Sequence, residues 1–223
     1  MNVSEAIEGR QSIRAFDANR EVTDAVVTSI LTTAGRAPSG SNIQPWHVYV
    51  VTGSAQHQIT EVCTARYLSG DEGESEYHYY PQNWRQPYIG RRRQTGFGLY
   101  GLLGIDKADT AAVQGYRVTN YAFFGAPMGL FFTIDRDMEL GSWLDYGMFL
   151  QSIMLSARDA GLETCAQAAF CPYYDSVMPL LGAPDEQMLV CGMSLGYPLT
   201  EAVVNNYRTE RLQAEAFTTF LSD

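Results

Sequence analysis

Apolar positions along this chain recur with two periods, and the switches between them mark the elements. From residue 23 to 35, Val26, Val27, Ile30, Leu31 and Ala34 return at helical spacing as one stripe. Thr23 stands where a helix cap belongs, and Gly35 and Pro38 end the pattern. WHVYVVTG, residues 46–53, is β-branched and predicts a buried strand. Residues 55–68 read as a second helix, 109–123 as another, and MGLFFTID, 128–135, as a strand. The clearest helix is WLDYGMFLQSIMLSARDA, 143–160. Ser142 stands at the cap with Asp145 in the capping-box position, and Gly161-Leu162 supplies a left-handed stop. It is apolar nearly all round, which suits a central buried helix or a seam between two chains. Strands are expected over 164–169 and 187–196, with a short helix about 173–181. Strands and helices interleave without repeat or linker, so one α+β domain over 1–223 is expected.

One stretch breaks the pattern. From Arg66 to Ile105 the chain is rich in Tyr, Gly, Arg and acids, with Pro81 and Pro87. It reads as an excursion with a helix near 84–103, lying over the core rather than in it.

Charge narrows the partners. The formal net charge is -10, which argues against nucleic acid or an anionic membrane as the main partner. The basic residues are nearly all arginine, with Lys107 the only lysine. MNVSEAIEGRQS is too polar for a signal peptide, and no run is long and apolar enough to span a bilayer. Cys63, Cys165, Cys171 and Cys191 lack metal or redox spacing and read as free thiols of a cytoplasmic protein. His47, His57 and His78 are scattered, so no metal is expected.

Four runs carry candidate chemistry. In GRQSIRAF, Arg10, Ser12 and Arg14 alternate, so an extended backbone points two guanidiniums and a hydroxyl one way, as a phosphate requires. A solvated arginine pair fits the same spacing. RAPSGSNIQPWHVYVV offers hydroxyls and amides in one turn, suited to a flat heterocycle rich in carbonyls and ring nitrogens, or simply a polar turn before a strand. GLETCAQAAF has small residues that admit a planar ligand or pack on a helix. NNYRTERL, near the C-terminus, carries Arg208 and Arg211, which also fits an ordinary charged tail. No nucleophile elbow, dinucleotide fingerprint or P-loop is present.

Taken in order along the chain, RQSIRAF, PSGSNIQPW, GLETCAQAAF and CGMSLGYP…NNYRTERL resemble the nitroreductase family of FMN-dependent oxidoreductases. PYIGRRRQTGFGLYGLLGI…NYAFFGAPMGLFFTID is similar to its branch of nitroaromatic-acid reductases. The resemblance implies a three-layer sandwich, with a central, mostly antiparallel sheet flanked by helices, forming an intertwined homodimer. It implies FMN held by Arg10, Ser12, Arg14, Arg208 and Arg211 of one chain and by Pro38, Ser39, Gly40 and Asn42 of the other. Backbone groups of Gln167, Ala168 and Ala169 would meet the flavin ring; some members carry Glu-Gly where this chain has Ala168-Ala169. NAD(P)H and a nitroaromatic, quinone or similar small aromatic acceptor would use one slot in turn, with no catalytic side chain because the flavin carries the chemistry. Tyr88, Arg91, Arg92 and Arg93 are candidates for binding the acceptor. Reductive dehalogenation, other flavin chemistry and passive flavin binding are the alternatives on the same fold.

Overall fold

The computed structural model describes residues 1–222. Its helices are α1 (Val3–Gly9), α2 (Asp24–Ala34), α3 (Gly53–Leu68), α4 (Tyr88–Leu102), α5 (Thr110–Val118), α6 (Leu140–Asp159) and α7 (Tyr174–Leu181). The strands are β1 (His47–Thr52), β2 (Met128–Asp135), β3 (Glu163–Gln167) and β4 (Gln187–Gly196), in the order β1-β2-β4-β3 with every neighbouring pair antiparallel.

β2 shows why three layers form. Met128, Leu130, Phe132 and Ile134 face a core shared with α2 and α6, while Phe131 faces a second core shared with α3 and α7. A strand covered on both faces reads as a nearly continuous apolar run, and MGLFFTID does apart from buried Thr133 and the terminal Asp135. The observed architecture is the expected α+β sandwich. β1 differs from expectation. It is an edge strand with His47, Val50 and Thr52 exposed, because only β2 pairs with it.

The expected helix at 143–160 starts earlier, at Leu140, with Glu139 at its N-cap and no side-chain cap. Ser142 lies inside the first turn and Asp145 accepts from Gly40 N–H at 3.1 Å, so the capping box does not form. The stop is as read. Leu162 N–H reaches Ala157 O and Gly161 N–H reaches Arg158 O, with Gly161 at φ +76. Tyr146, Phe149 and Ile153 pack on the sheet, and Tyr146 Oη donates to His47 O at 3.0 Å and Thr133 O at 2.9 Å. Those two bonds tie the helix to both β1 and β2. On the opposite face Leu140 (82% exposed), Leu144 (74%) and Met148 (40%) form an apolar stripe that none of the described residues covers.

The expected strand 164–169 stops at Gln167, and Ala168–Tyr173 turns as a 3-10 helix. Helix α1 went unread in the sequence although Asn2 and Glu5 make a complete capping box. The excursion lies on the core as expected, but it is anchored. Tyr77 Oη donates to Val190 O at 2.5 Å and its ring packs 4.8 Å from that of Trp143. Glu76 accepts from Arg136. Among the described residues, no helix is long and apolar enough to cross a membrane.

Candidate functional site

The alternation in GRQSIRAF becomes geometry through β3. Ser12 bridges Thr164 in parallel and Ile13 N–H donates to Thr164 O at 3.1 Å, so the segment runs extended along the sheet edge. Ile13 and Phe16 turn into the core, and Arg10, Ser12 and Arg14 line a cleft of about 790 Å³. Arg208 and Arg211 line the same cleft from the C-terminal segment, together with Tyr207 and Thr209. Gln151 and Met154 of α6 and the exposed Ala166 of β3 form another wall.

One buried residue joins the two ends of the chain. Asn205 Oδ1 accepts from Arg14 N–H at 2.9 Å, its Nδ2 donates to Ala15 O and Leu199 O, and its own carbonyl accepts from Gln11 Nε2. Arg208 donates to Gly9 O at 3.1 Å. Sequence reasoning passed over Asn205 because a single buried asparagine leaves no periodic signal. It also missed Tyr207.

Electrostatically the cleft is strongly basic, with Glu8 the one acid among its lining residues. Among the described residues, Arg10, Arg14, Arg208 and Arg211 make no ion pair, in a chain whose net charge is -10. Burial first, and then the neighbouring Arg211, lower the Arg10 pKa. Glu163 is close, but it is engaged by Arg158 and burial raises its pKa. Tyr116 has a buried hydroxyl with no partner in the chain, and burial pushes its pKa up to about 12 against the pull of Arg14. Gln11 also lines the cleft, and its amide oxygen lacks a donor. Four unpaired guanidiniums with free polar groups beside them fit a phosphate carrying a hydroxylated, polar body.

The PSGSN turn sits elsewhere. None of Pro38, Ser39, Gly40 or Asn42 lines its own chain's arginine cleft. The Asp145 contact seats the turn at the start of α6, six residues before Gln151, or about 9 Å of helix. The turn is fixed rather than loose. Ser39 Oγ accepts from Gln44 N–H at 3.0 Å, and Trp46 stacks on Phe149 at 4.5 Å. Ser41, Asn42 and Gln44 hold φ of 49, 59 and 51, a conformation that costs non-glycine residues energy. Pro38, Gly40 and Asn42 face outward.

Gln167 points its side chain inward, accepting from Ser194 Oγ at 2.7 Å and donating to Asn120 O at 2.6 Å. Ala168 and Ala169 follow, half-buried, without lining the arginine cleft.

A second cleft, of about 420 Å³, lies between the 80–84 turn and α4. Tyr88, Arg91 and Arg92 line it; Arg93 does not, because it falls about 140° around the helix from Tyr88. The clefts adjoin. Tyr79 lines the first and its ring contacts that of Tyr80, in the second, at 4.7 Å. Tyr207 Oη donates to Thr95 O at 3.0 Å. Gly98 makes room for that ring, since a Cβ there would stand 2.6 Å from the hydroxyl.

Comparison with known proteins identifies the family. The family model described as "Nitroreductase family" matches residues 7–197, which leaves Arg208 and Arg211 outside the match. The chain is 39% identical over 220 residues to a 4-nitrobenzoate reductase of Nocardioides sp. (strain LMS-CY), covering 97% of this chain and 89% of that protein. It is 38% identical over 215 residues to a 4-nitrobenzoate reductase of Pseudomonas putida, covering 96% and 93%. The fold matches the crystal structure of the FMN and NADPH-dependent nitroreductase NfnB from Sphigopyxis sp. strain HMH with a TM-score of 0.96, at 37% identity and full coverage of both chains. On residues 7–197 of the family match and on these whole-chain relatives, the protein belongs to the nitroreductase family.

Proposed function

We propose that the chain is an FMN-dependent oxidoreductase that uses NAD(P)H to reduce nitroaromatic or similarly electron-poor small molecules. The observation that carries this is the cleft of four unpaired arginines, in a chain whose relatives are named for that chemistry. Bound FMN supplies the two-electron carrier between donor and acceptor. The protein binds, orients and tunes it.

Arg10, Ser12, Arg208 and Arg211 are the proposed phosphate and ribityl contacts. Arg14, fixed through its backbone by Asn205, lines the same cleft and would stabilise negative charge on a bound flavin ring. Ala166 and the Gln167–Ala169 backbone lie behind, with the Gln167 side chain turned away, so no bulky group obstructs a flat ligand. The acid–base inventory near the cleft is poor, which suits proton delivery from solvent.

The site is incomplete in one chain. The PSGSN turn is pre-shaped, strained and pointed outward, and an apolar stripe runs along α6 beside it. We read both as parts of a homodimer in which Pro38, Ser39, Gly40 and Asn42 complete the partner's flavin site. Residues 1–223 then act as one flavin-binding domain, with 66–105 as the cover. Dehalogenation and passive storage are weaker readings, since the relatives at 38–39% identity are named as nitrobenzoate reductases.

The test is the chromophore. Heat release followed by mass measurement is expected to give FMN. FAD, or no flavin uptake after excess FMN, would sink the reading.

A further inference from the structure

We propose that Glu163 is a positioning residue for the flavin phosphate: its second carboxylate oxygen holds one edge of the Arg10 guanidinium while another edge meets the phosphate. This deepens the flavin reading above and rests on it.

The turn after α6 builds the platform. Gly161, at φ +76, folds the chain back, so Arg158 in the last turn of the helix meets Glu163 at the first residue of β3. The two form an ion pair with side chains 20% and 14% exposed, in which Arg158 Nη1 donates to Glu163 Oε1. That pair leaves polar atoms unspent. Among the described residues, Glu163 Oε2, Arg158 Nε and the adjoining Thr164 Oγ1 are buried without a partner. A buried carboxylate oxygen with no donor is costly, and the cost falls when a guanidinium takes it.

Three guanidiniums act on this carboxylate. Burial raises the Glu163 pKa, and Arg158, then Arg10, then Arg208 pull it down. Burial and Arg211 lower the Arg10 pKa, and Glu163 raises it. The backbone confirms how close the parts lie. The Arg158 guanidinium occupies the place a Cβ would take at Gly9, and Arg208 donates to Gly9 O at 3.1 Å. The residue before Arg10 therefore rests against the ion pair itself, an approach that only glycine admits. Arg10 is half-buried and lines the cleft, yet it makes no ion pair of its own among the described residues. A planar guanidinium offers N–H groups along more than one edge, so it bridges a carboxylate and a phosphate without giving up either.

Two roles for Glu163 differ in sign. A carboxylate that only dilutes the positive charge of the cleft repels a phosphate, so removing it tightens FMN. A carboxylate that positions Arg10 weakens FMN when it is removed.

The test is a fluorescence titration of the full chain, freed of flavin, with FMN and with riboflavin, which lacks the phosphate. The readout is the ratio of the two affinities, because a loosened fold lowers both and leaves the ratio alone. Glu163→Gln is expected to lower the FMN-to-riboflavin ratio about tenfold. Glu163→Asp keeps the charge but withdraws the oxygen by a methylene, and should lower the ratio by less; it carries the test if Glu163→Gln fails to fold. In an Arg10→Ala background, Glu163→Gln should change the ratio less than about twofold, since the arginine it acts through is gone. The role is overturned if Glu163→Gln raises the ratio or leaves it unchanged, if Glu163→Asp matches the wild type, or if the loss is as large without Arg10. A wild-type protein that binds FMN no better than riboflavin contradicts the flavin-phosphate reading and overturns this role with it; a preference for FMN that survives in both Glu163 variants overturns the role alone.

Discussion

Arg10 is the residue on which the phosphate reading turns. It caps the end of α1, it is half-buried, and its only close charged company is repulsive or already engaged. A guanidinium in that position gains from a dianion, and losing its charge-assisted bonds costs about 1.5–3 kcal/mol. Arg10→Ala and Arg211→Ala are therefore each expected to weaken FMN binding about tenfold or more in a fluorescence titration. Arg36→Ala, which lies in an exposed turn outside the cleft, should bind as the wild type does. Unchanged affinity in Arg10→Ala would move the phosphate elsewhere. At this scale the sequence was informative where residues repeat. The i, i+2, i+4 spacing in RQSIRAF needed only an extended backbone to become a cleft wall. It was silent about Asn205, whose role comes from four hydrogen bonds that each span a different stretch of chain. Arg93 shows the complementary limit, because three consecutive arginines read alike in a sequence and only helix phase separates them.

Among the elements, α6 does two jobs on two faces. Its inner face, through Tyr146, Phe149 and Ile153, holds the sheet. Its outer face shows Leu140, Leu144 and Met148 to solvent in one chain, and Phe217, Phe220 and Leu221 of the C-terminal segment are exposed as well. Exposed apolar surface on this scale marks a contact with another molecule. Leu144→Glu should cost the fold little, because the side chain is 74% exposed. It is expected to turn a dimer into a monomer in sedimentation and to lower the FMN content, since the PSGSN turn would no longer reach a partner. A variant that stays dimeric with full flavin would contradict the seam. The apolar, all-round pattern of 143–160 already pointed to either a core helix or a seam; the structure shows the core helix, with an exposed apolar face left for the proposed seam. The start of the helix was misread because Ser142 and Asp145 have the spacing of a capping box, while the tertiary contact with Gly40 claims the carboxylate. β1 was misread for a related reason: β-branched composition marks a strand but not its place in the sheet.

For the whole molecule, the proposed flavin site is divided among distant parts of the chain. The N-terminal segment and the C-terminal segment meet at Asn205, the PSGSN turn stands apart at the start of α6, and the excursion reaches the arginine cleft at Tyr79 and is bonded at Thr95 by Tyr207 of the C-terminal segment. The order of those parts along the chain was legible as a family pattern, as was the α+β sandwich. Their distances were not, because long-range packing sets them. The central claim is that this assembly passes electrons from a nicotinamide donor to a nitro group through FMN. It is tested most directly without oxygen, in two half-reactions followed by flavin absorbance. NADPH or NADH is expected to bleach the yellow protein, and 4-nitrobenzoate, added after the donor is consumed, is expected to restore the colour. Absorbance that ignores both donors, or a bleached protein that no nitroaromatic reoxidises, would contradict the account.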